Sequence, residues 1–187
     1  KLKLNKNKNL PLTILGSSKL REIKFNEKKG SAQCKSSVIF GGLRSHGTTI
    51  IKAKKSRDHT ELLCKYLGLP VRVKKNKSYD EIKVKKAKII RPLKYNIPSD
   101  ISSSAFFLVL TALSNKSELL VKKVNINPSR TGIITILKKM KVPIIFKNQK
   151  TYRGEKIADI KVRSPNSIKA INCPAYLNSC AIDEFLL

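Results

Sequence analysis

The chain has 187 residues, 41% of them hydrophobic, and its 40 Lys+Arg against 12 Asp+Glu give a formal net charge of +28. That length and apolar content suffice for one large domain or two small ones with their own cores, and no stretch approaches the roughly 20 apolar residues of a membrane-spanning helix. The charge draws anions, but lysines such as Lys52, Lys83, Lys122 and Lys161 alternate with apolar residues, and there is no Trp, with five Tyr and six Phe not grouped among basic residues. Solvated faces of ordinary elements are expected, with no specific nucleic-acid partner.

In chain order, the basic start KLKLNKNKN is followed by no apolar segment or cleavage pattern of a targeting signal. Leu12 to Leu15 reads as a strand, and the small and apolar run Ser31 to Leu43 as a helix. A β-branched strand, Thr48 to Ala53, precedes an amphipathic helix with Leu62, Leu63, Tyr66 and Leu67 on one face. Alternating strands follow at Val71 to Val73 and Ile82 to Val84, then a strand at Ile89 to Leu93. The stretch Tyr95 to Asp100 combines a proline, turn formers and a capping aspartate.

Ile101 to Leu113 is apolar on nearly all sides, as in a buried helix. A strand at Leu119 to Val124 leads to a helix with Ile133, Ile136, Leu137 and Met140 on one face, then to strands at Ile144 to Phe146 and Ile160 to Val162. The chain begins without Met and stops at IDEFLL, inside what reads as the first turn of a helix, as expected of an excerpt from a longer protein.

These elements form an internal repeat. Leu43 matches Leu113 and Ile50-Ile51-Lys52 matches Leu120-Val121-Lys122 at an offset of 70; Ser56-Arg57 matches Ser129-Arg130 and Leu69-Pro70-Val71 matches Val142-Pro143-Ile144 at 73; Ile82-Lys83-Val84 matches Ile160-Lys161-Val162 at 78. The implied module is β-α-β-α-β-β of about 70 residues, an α/β (α+β) fold class. Two modules and the opening of a third are present.

Four cysteines, Cys34, Cys64, Cys173 and Cys180, lack any CxxC pairing, so reduced core thiols are expected. In SRDHTE, Asp58 and Glu61 have capping-box spacing: Asp58 is expected to accept an early backbone N–H while Glu61 reaches back. His59 has no His four residues on, and the other histidine, His46, lies at a strand entry, so no metal site is expected. Arg57 precedes the cap beside N–H groups that favour anions; it is either one more exposed cation or a two-point grip on carboxylate or phosphate. Ser31, Ala32 and Gln33 open a helix after Gly30, with Ser31 either a plain cap or a phosphate and hydroxyl contact. Asp183, in apolar context beside Glu184, is either a helix-start acid or a base with raised proton affinity.

The strings SAQCKSS (31 to 37), SRDHTELL (56 to 63), IPSDISSSAFFLV (97 to 109), NPSRTGII (127 to 134), EKIADIKVRS (155 to 164) and IDEF (182 to 185) occur in the order and spacing of one family. From about Leu10 onward the chain resembles the 5-enolpyruvylshikimate-3-phosphate synthases. The resemblance implies an enolpyruvyl transferase-like two-domain fold of repeated βαβαββ units with pseudo-threefold domains, here incomplete. Residues 1–97 would be the latter part of the first domain and 98–187 the first part of the second, with Ile97 to Asp100 a crossing between them.

The family transfers the enolpyruvyl group of phosphoenolpyruvate to the 5-hydroxyl of shikimate 3-phosphate and releases phosphate, with no cofactor and no metal. By the same resemblance, Ser31, Ala32, Gln33, Ser56 and Arg57 hold shikimate 3-phosphate, Gln33 also meets phosphoenolpyruvate, and Asp183 both contacts substrate and accepts the proton of the attacking hydroxyl. A cytoplasmic, monomeric enzyme without membrane attachment is implied. Leu186 replaces the proline usual after the aromatic of IDEF. The family's lysine and asparagine-serine-glycine phosphoenolpyruvate motifs are not in these residues, so the 187-residue chain alone is expected to be inactive. The sister enzymes acting on UDP-N-acetylglucosamine share fold and chemistry, and SAQ and SRDHTE favour the shikimate branch. A basic nucleic-acid-binding module is the competing class.

Overall fold

A computed structural model describes residues 2–3, 10–88 and 92–187. Strands β1 (Leu2–Lys3) and β2 (Thr13–Ile14) form a small antiparallel pair at the start. The first repeat unit follows: β3 (Lys24–Glu27), α1 (Ala32–Gly42), β4 (Thr48–Lys54), α2 (His59–Tyr66), β5 (Val71–Lys75) and β6 (Tyr79–Lys85). Its sheet runs β3-β4-β6-β5, with β3 parallel to β4 and the other pairings antiparallel. The period-two pattern buries Thr49, Ile51 and Ala53 of β4 and Asp80, Ile82 and Val84 of β6. Ile39 of α1 and Leu43, the residue that caps its end, close over that face.

The turn into α1 is built by Glu27, whose carboxylate accepts from Lys29 N at 2.8 Å and Gly30 N at 2.7 Å. Gly30 sits at φ +79, the left-handed region that suits glycine. Ser31 then caps the helix, its Oγ accepting from Cys34 N at 3.2 Å.

The second unit comprises α3 (Ile101–Leu113), β7 (Glu118–Asn125), α4 (Gly132–Lys139), β8 (Ile144–Tyr152) and β9 (Glu155–Arg163), followed by a 3-10 helix at Ala175–Cys180. Asp100 caps α3, accepting from Ser103 N at 2.8 Å. The antiparallel sheet β7-β9-β8 packs against α3 and α4 around Leu108, Val124, Ile133, Leu137 and Ile160.

Strand registers bear out the repeat. Ile51 lies opposite Ile82 as Val121 lies opposite Ile160, and Val71 opposite Val84 as Ile144 opposite Val162. Helices α2 and α4 start and stop at matching positions, 73 residues apart. The first helices need a correction: the caps Ser31 and Asp100, and the buried pairs Ile39 with Leu108 and Leu43 with Ala112, set that offset at 69. Leu43 therefore corresponds to Ala112, and Leu113 is solvent-exposed.

Other expectations change as well. The strand completing the first sheet is Lys24–Glu27; Thr13–Ile14, within the expected Leu12 to Leu15, pairs with β1 instead. KFNE holds a single apolar residue and lies at a sheet edge, so it carries no period-two signal. Of the expected strand Ile89 to Leu93, residues 89–91 lie outside the described residues and 92–93 are not in a strand. The place beside β7 is taken by a one-residue parallel bridge, Ser99 to Val124.

On α2 the inward residues are Glu61 and Cys64, while Tyr66 is exposed. Cys64 is the one core cysteine: Cys34 and Cys173 are exposed, Cys180 is half-buried, and all four are free.

Candidate functional site

The loop from β4 into α2, residues Lys55 to Asp58, faces the second unit across a cleft of about 430 Å³. Ser56 and Asp58 line one wall, with Asn127, Ser129 and Glu155 opposite. The Ser56 hydroxyl is buried there without a hydrogen-bond partner among the described residues. A narrower gap beside it, sharing Ser129, Ser179 and Cys180 with the first, is lined by Arg57, Arg130, Asp183 and Glu184.

Arg57 and Asp183 meet across this gap, Nη1 to Oδ2 at 3.7 Å, with 30% and 50% of their side chains exposed. A pair so open to solvent contributes little to stability, about 0–1 kcal/mol. Its chemical content is a guanidinium fork that fits carboxylate or phosphate, next to a carboxylate able to take a proton.

The Asp183 side arrives on a turn after the 3-10 helix, where Glu184 N donates to Ala181 O at 3.0 Å. Glu184, not Asp183, is the buried member of the pair. Glu184 accepts from Ser102 Oγ, Ser102 accepts from Arg130 Nη2, and Arg130 pairs with Asp100 at 3.2 Å. The start of α3 thus holds the turn that presents Asp183. Gly132 lets this segment close in, because a Cβ there would lie 2.7 Å from the Cys180 carbonyl carbon and 2.8 Å from Ala181 Cβ.

Behind Arg57, the Lys35 ammonium donates to the Arg57 carbonyl at 2.8 Å and pairs with Glu61 Oε1 at 2.6 Å, both side chains almost fully buried. Glu61 therefore does not reach back as a capping-box residue, and Asp58 caps no backbone N–H. Asp58 Oδ1 accepts from Asn127 Nδ2 at 2.9 Å and Oδ2 meets Lys75 Nζ at 3.3 Å. Charge-assisted and cross-unit partners have displaced the local caps. Burial works against ionisation of Asp58, but Asn127 and Lys75 outweigh it and hold the carboxyl below its usual range.

His59 also serves the contact between units, its Nδ1 lying 2.6 Å from Glu155 Oε1 while Asn127 Nδ2 donates to Glu155 Oε2 at 3.3 Å. Burial opposes the Glu155 charge, yet His59, Asn125 and Asn127 hold its carboxyl below the ordinary value. Among the described residues no group of three or more His, Cys, Asp or Glu is placed to hold a metal ion.

Of the residues singled out in the sequence, Ser56, Arg57 and Asp183 come together. Ser31 is a helix cap, Ala32 is half-buried and Gln33 is exposed. These three stand outside the two cavities but next to the loop: the Lys55 carbonyl lies 3.4 Å from where a Gly30 Cβ would be, and Ser36 Oγ meets Thr60 Oγ1 at 2.6 Å. Sequence reasoning missed Lys35, Asn127, Arg130 and Glu155; a buried position for a lysine within an apolar helix was the signal available for the first.

Residues 1–180 match the family model described as EPSP synthase (3-phosphoshikimate 1-carboxyvinyltransferase). The 3-phosphoshikimate 1-carboxyvinyltransferase of Hydrogenovibrio crunogenus is 40% identical over 180 residues, covering 94% of this chain and 40% of that protein. Its counterpart from Caldicellulosiruptor bescii is 39% identical over 168 residues, covering 87% and 38%. Among solved structures, EPSP synthase from Acinetobacter baumannii superposes with a TM-score of 0.85 at 33% identity, covering 99% of this chain and 42% of that one. The enolpyruvyl transferase NikO from Streptomyces tendae, at TM-score 0.57 and 12% identity over 89% of this chain and 39% of that one, shares the fold. The chain spans about 40% of the length of the curated relatives it matches.

Proposed function

The chain belongs to the EPSP synthase family, and from that premise we propose that its full-length polypeptide transfers the enolpyruvyl group of phosphoenolpyruvate to the 5-hydroxyl of shikimate 3-phosphate. The observation that carries this reading is the meeting of Arg57, on the first repeat unit, with Asp183, on the turn that follows the second, across one gap. Arg57 and the unpartnered Ser56 hydroxyl hold shikimate 3-phosphate, together with Ser31, Ala32 and Gln33 at the start of α1; Gln33 also meets phosphoenolpyruvate. Substrate anions take over the guanidinium from Asp183, which is then free to act on the 5-hydroxyl of shikimate 3-phosphate.

In the addition step the hydroxyl oxygen forms a bond to C2 of phosphoenolpyruvate as its proton passes to Asp183, and the electrons of the C2=C3 double bond take a proton at C3 from a general acid of the full-length polypeptide. In the elimination step the conjugate base of that acid removes a proton from C3, the C2=C3 double bond re-forms, and the C2–O bond to phosphate breaks to release phosphate. Asp183 supplies the base that an unactivated alcohol needs, and the cationic wall stabilises charge on both substrates. Residues 1–97 and 98–187 belong to two lobes joined at Ile97 to Asp100, and the complete enzyme works as a cytoplasmic monomer.

The test is phosphate release by the full-length polypeptide with both substrates. Asp183→Asn is expected to lower kcat by about 100-fold or more. Arg57→Ala is expected to raise the KM for shikimate 3-phosphate about tenfold or more. A KM within twofold of wild type in Arg57→Ala removes the role given to Arg57. Turnover of UDP-N-acetylglucosamine in place of shikimate 3-phosphate would move the protein to the sister branch, and turnover by the 187-residue chain alone would show that the absent motifs are dispensable.

A further inference from the structure

We propose that Lys35 is a positioning residue for substrate binding, a buried tether that fixes Arg57 from the helix carrying Ser31 to Gln33. This rests on the reading of the site given above and adds a residue that nothing in its motif assigns to substrate.

Lys35 is 1% exposed, so it cannot touch a ligand in the cleft. A lysine buried to that degree is rare and costly unless its ammonium is fully engaged. Here the ammonium leaves its own helix and reaches two groups on the β4–α2 segment, the Glu61 carboxylate at 2.6 Å and the Arg57 carbonyl at 2.8 Å. An ion pair to Glu61 alone would join α1 to α2. The second bond does more, because Arg57 lies in a loop whose carbonyl has no ladder or helix to satisfy it. Fixing that peptide group sets the direction in which the Arg57 side chain leaves the backbone.

The other inward contacts leave this job to Lys35. Ser36 meets Thr60 one helical step further on, and Asp58, the nearest acid of the loop, is engaged by Asn127 and Lys75 from other elements. Lys35 also contributes favourable charge to Glu27, where burial opposes ionisation and the backbone N–H groups of the turn before α1, with Lys35 behind them, hold the carboxyl below its ordinary value. One ammonium therefore stands behind both segments assigned to shikimate 3-phosphate, so that the α1 start and the Ser56-Arg57 loop form one wall.

The repeat supplies an internal control. At the position of Lys35 the second unit has Ser104, whose Oγ donates to Asp100 O at 2.6 Å within its own helix, and at the position of Glu61 it has buried Ile134. The fold thus closes over this pair of positions without an ion pair, so unit packing alone does not call for one.

The experiment is a mutant cycle in the full-length polypeptide. Lys35→Met with Glu61→Leu replaces the ion pair by apolar bulk, a change such sites often tolerate. With the wild-type melting temperature retained, KM for shikimate 3-phosphate is expected to rise about tenfold, kcat at saturating substrates to stay within about threefold, and the rise to vanish when Arg57→Ala is already present. A KM within twofold of wild type, or a rise that multiplies that of Arg57→Ala, overturns the proposal and leaves Lys35 a packing residue.

If the apolar pair fails to fold, Lys35→Gln, which keeps a donor on the same side of the helix, is put through the same cycle. It is expected to raise KM about threefold in wild-type background and not at all beside Arg57→Ala; an unchanged KM or a multiplicative effect again overturns the proposal. The single Arg57→Ala variant separates the two readings, since its own failure to raise KM sinks the site assignment, whatever Lys35 does.

Discussion

The two repeat units share matched helices and strand registers, yet their interiors differ at positions around the β4–α2 segment. Where the first unit places Lys35, His59, Glu61 and Cys64, the second places Ser104, Gly132, Ile134 and Leu137. The second set is small or apolar and satisfied within its own unit. In the first set Cys64 packs in the core, while Lys35 reaches Glu61 and the Arg57 loop and His59 reaches Glu155 of the other unit. The Ser-Arg pairs divide in the same way. Arg130 is tied down by Asp100 and Ser102, whereas the one ion pair of the Arg57 guanidinium among the described residues is with the half-exposed Asp183 across the gap. A repeat keeps its backbone by keeping register and caps; the side chains inside it are free to change wherever a neighbouring loop has to be held.

The largest break in this comparison comes from giving the first unit half of the second unit's interior. Lys35→Met alone leaves Glu61 buried with no partner, Oε2 already having none, and an uncompensated buried charge costs about 3–5 kcal/mol. Urea denaturation of the full-length polypeptide should show that loss, and Lys35→Met with Glu61→Leu should recover most of it. If the single change costs under about 1 kcal/mol, the ammonium is not carrying the charge of Glu61.

Gly132 is the next point of leverage. It stands where the first unit has His59, and Gly132→Ala pushes a Cβ into the Cys180 and Ala181 backbone segment rather than into a flexible side-chain end. Overpacking of this kind costs about 1–3 kcal/mol, and the turn carrying Asp183 must shift. The expected outcome is a lower kcat together with the stability loss, measured by phosphate release and urea midpoint. His59→Ala should by contrast leave kcat nearly unchanged, because the partner of His59 is Glu155 on β9 rather than the turn that carries Asp183.

How much of this was readable beforehand depended on the range of the interaction. Strands β4 to β9 and the repeat are written in local pattern, the two long helices in apolar runs, and Ser56, Arg57 and Asp183 were singled out as candidates because their motifs resemble a family's. β3 was hidden, since an edge strand reading KFNE carries no alternation. The capping box in SRDHTE was a sound local inference that lost to partners from far along the chain: Lys35 for Glu61, and Asn127 for Asp58. No spacing within ten residues encodes such competition, and the same holds for His59 and Glu155, 96 residues apart. Buried charge inside an apolar helix was the one local hint, and Lys35 bore it.

The contact between units can also be weakened by acid. The ordinary value for Glu155 is 4.5, and in the folded chain its carboxyl lies below that. The unfolded chain therefore binds the proton first, so the stability that Glu155 contributes is fully present above about pH 4.5 and is lost as pH falls through the folded value. As pH falls below 4.5 and through the lower folded value, the stability difference between wild type and Glu155→Gln should shrink toward zero, while at pH 7 the variant should be less stable by about 1–3 kcal/mol. A constant difference across pH 3 to 7 would mean that the His59 and Asn127 bonds do not depend on the Glu155 charge.

The smallest effect is expected at Lys75, and it decides what Asp58 is for. Asp58 has two partners of different kinds: Lys75, 68% exposed at 3.3 Å, and Asn127, buried on the other unit at 2.9 Å. An ammonium so open to water is screened by salt and pays side-chain entropy for its position, so Lys75→Ala should cost no more than about 0.5 kcal/mol and less at 0.5 M salt. Asn127→Ala removes a buried donor shared by Asp58 and Glu155 and should cost about 1–3 kcal/mol, insensitive to salt. The reverse order would make Asp58 a surface charge of the first unit with no part in joining the two. The expected order makes it the residue through which the loop carrying Arg57 is fastened to the unit that brings Asp183.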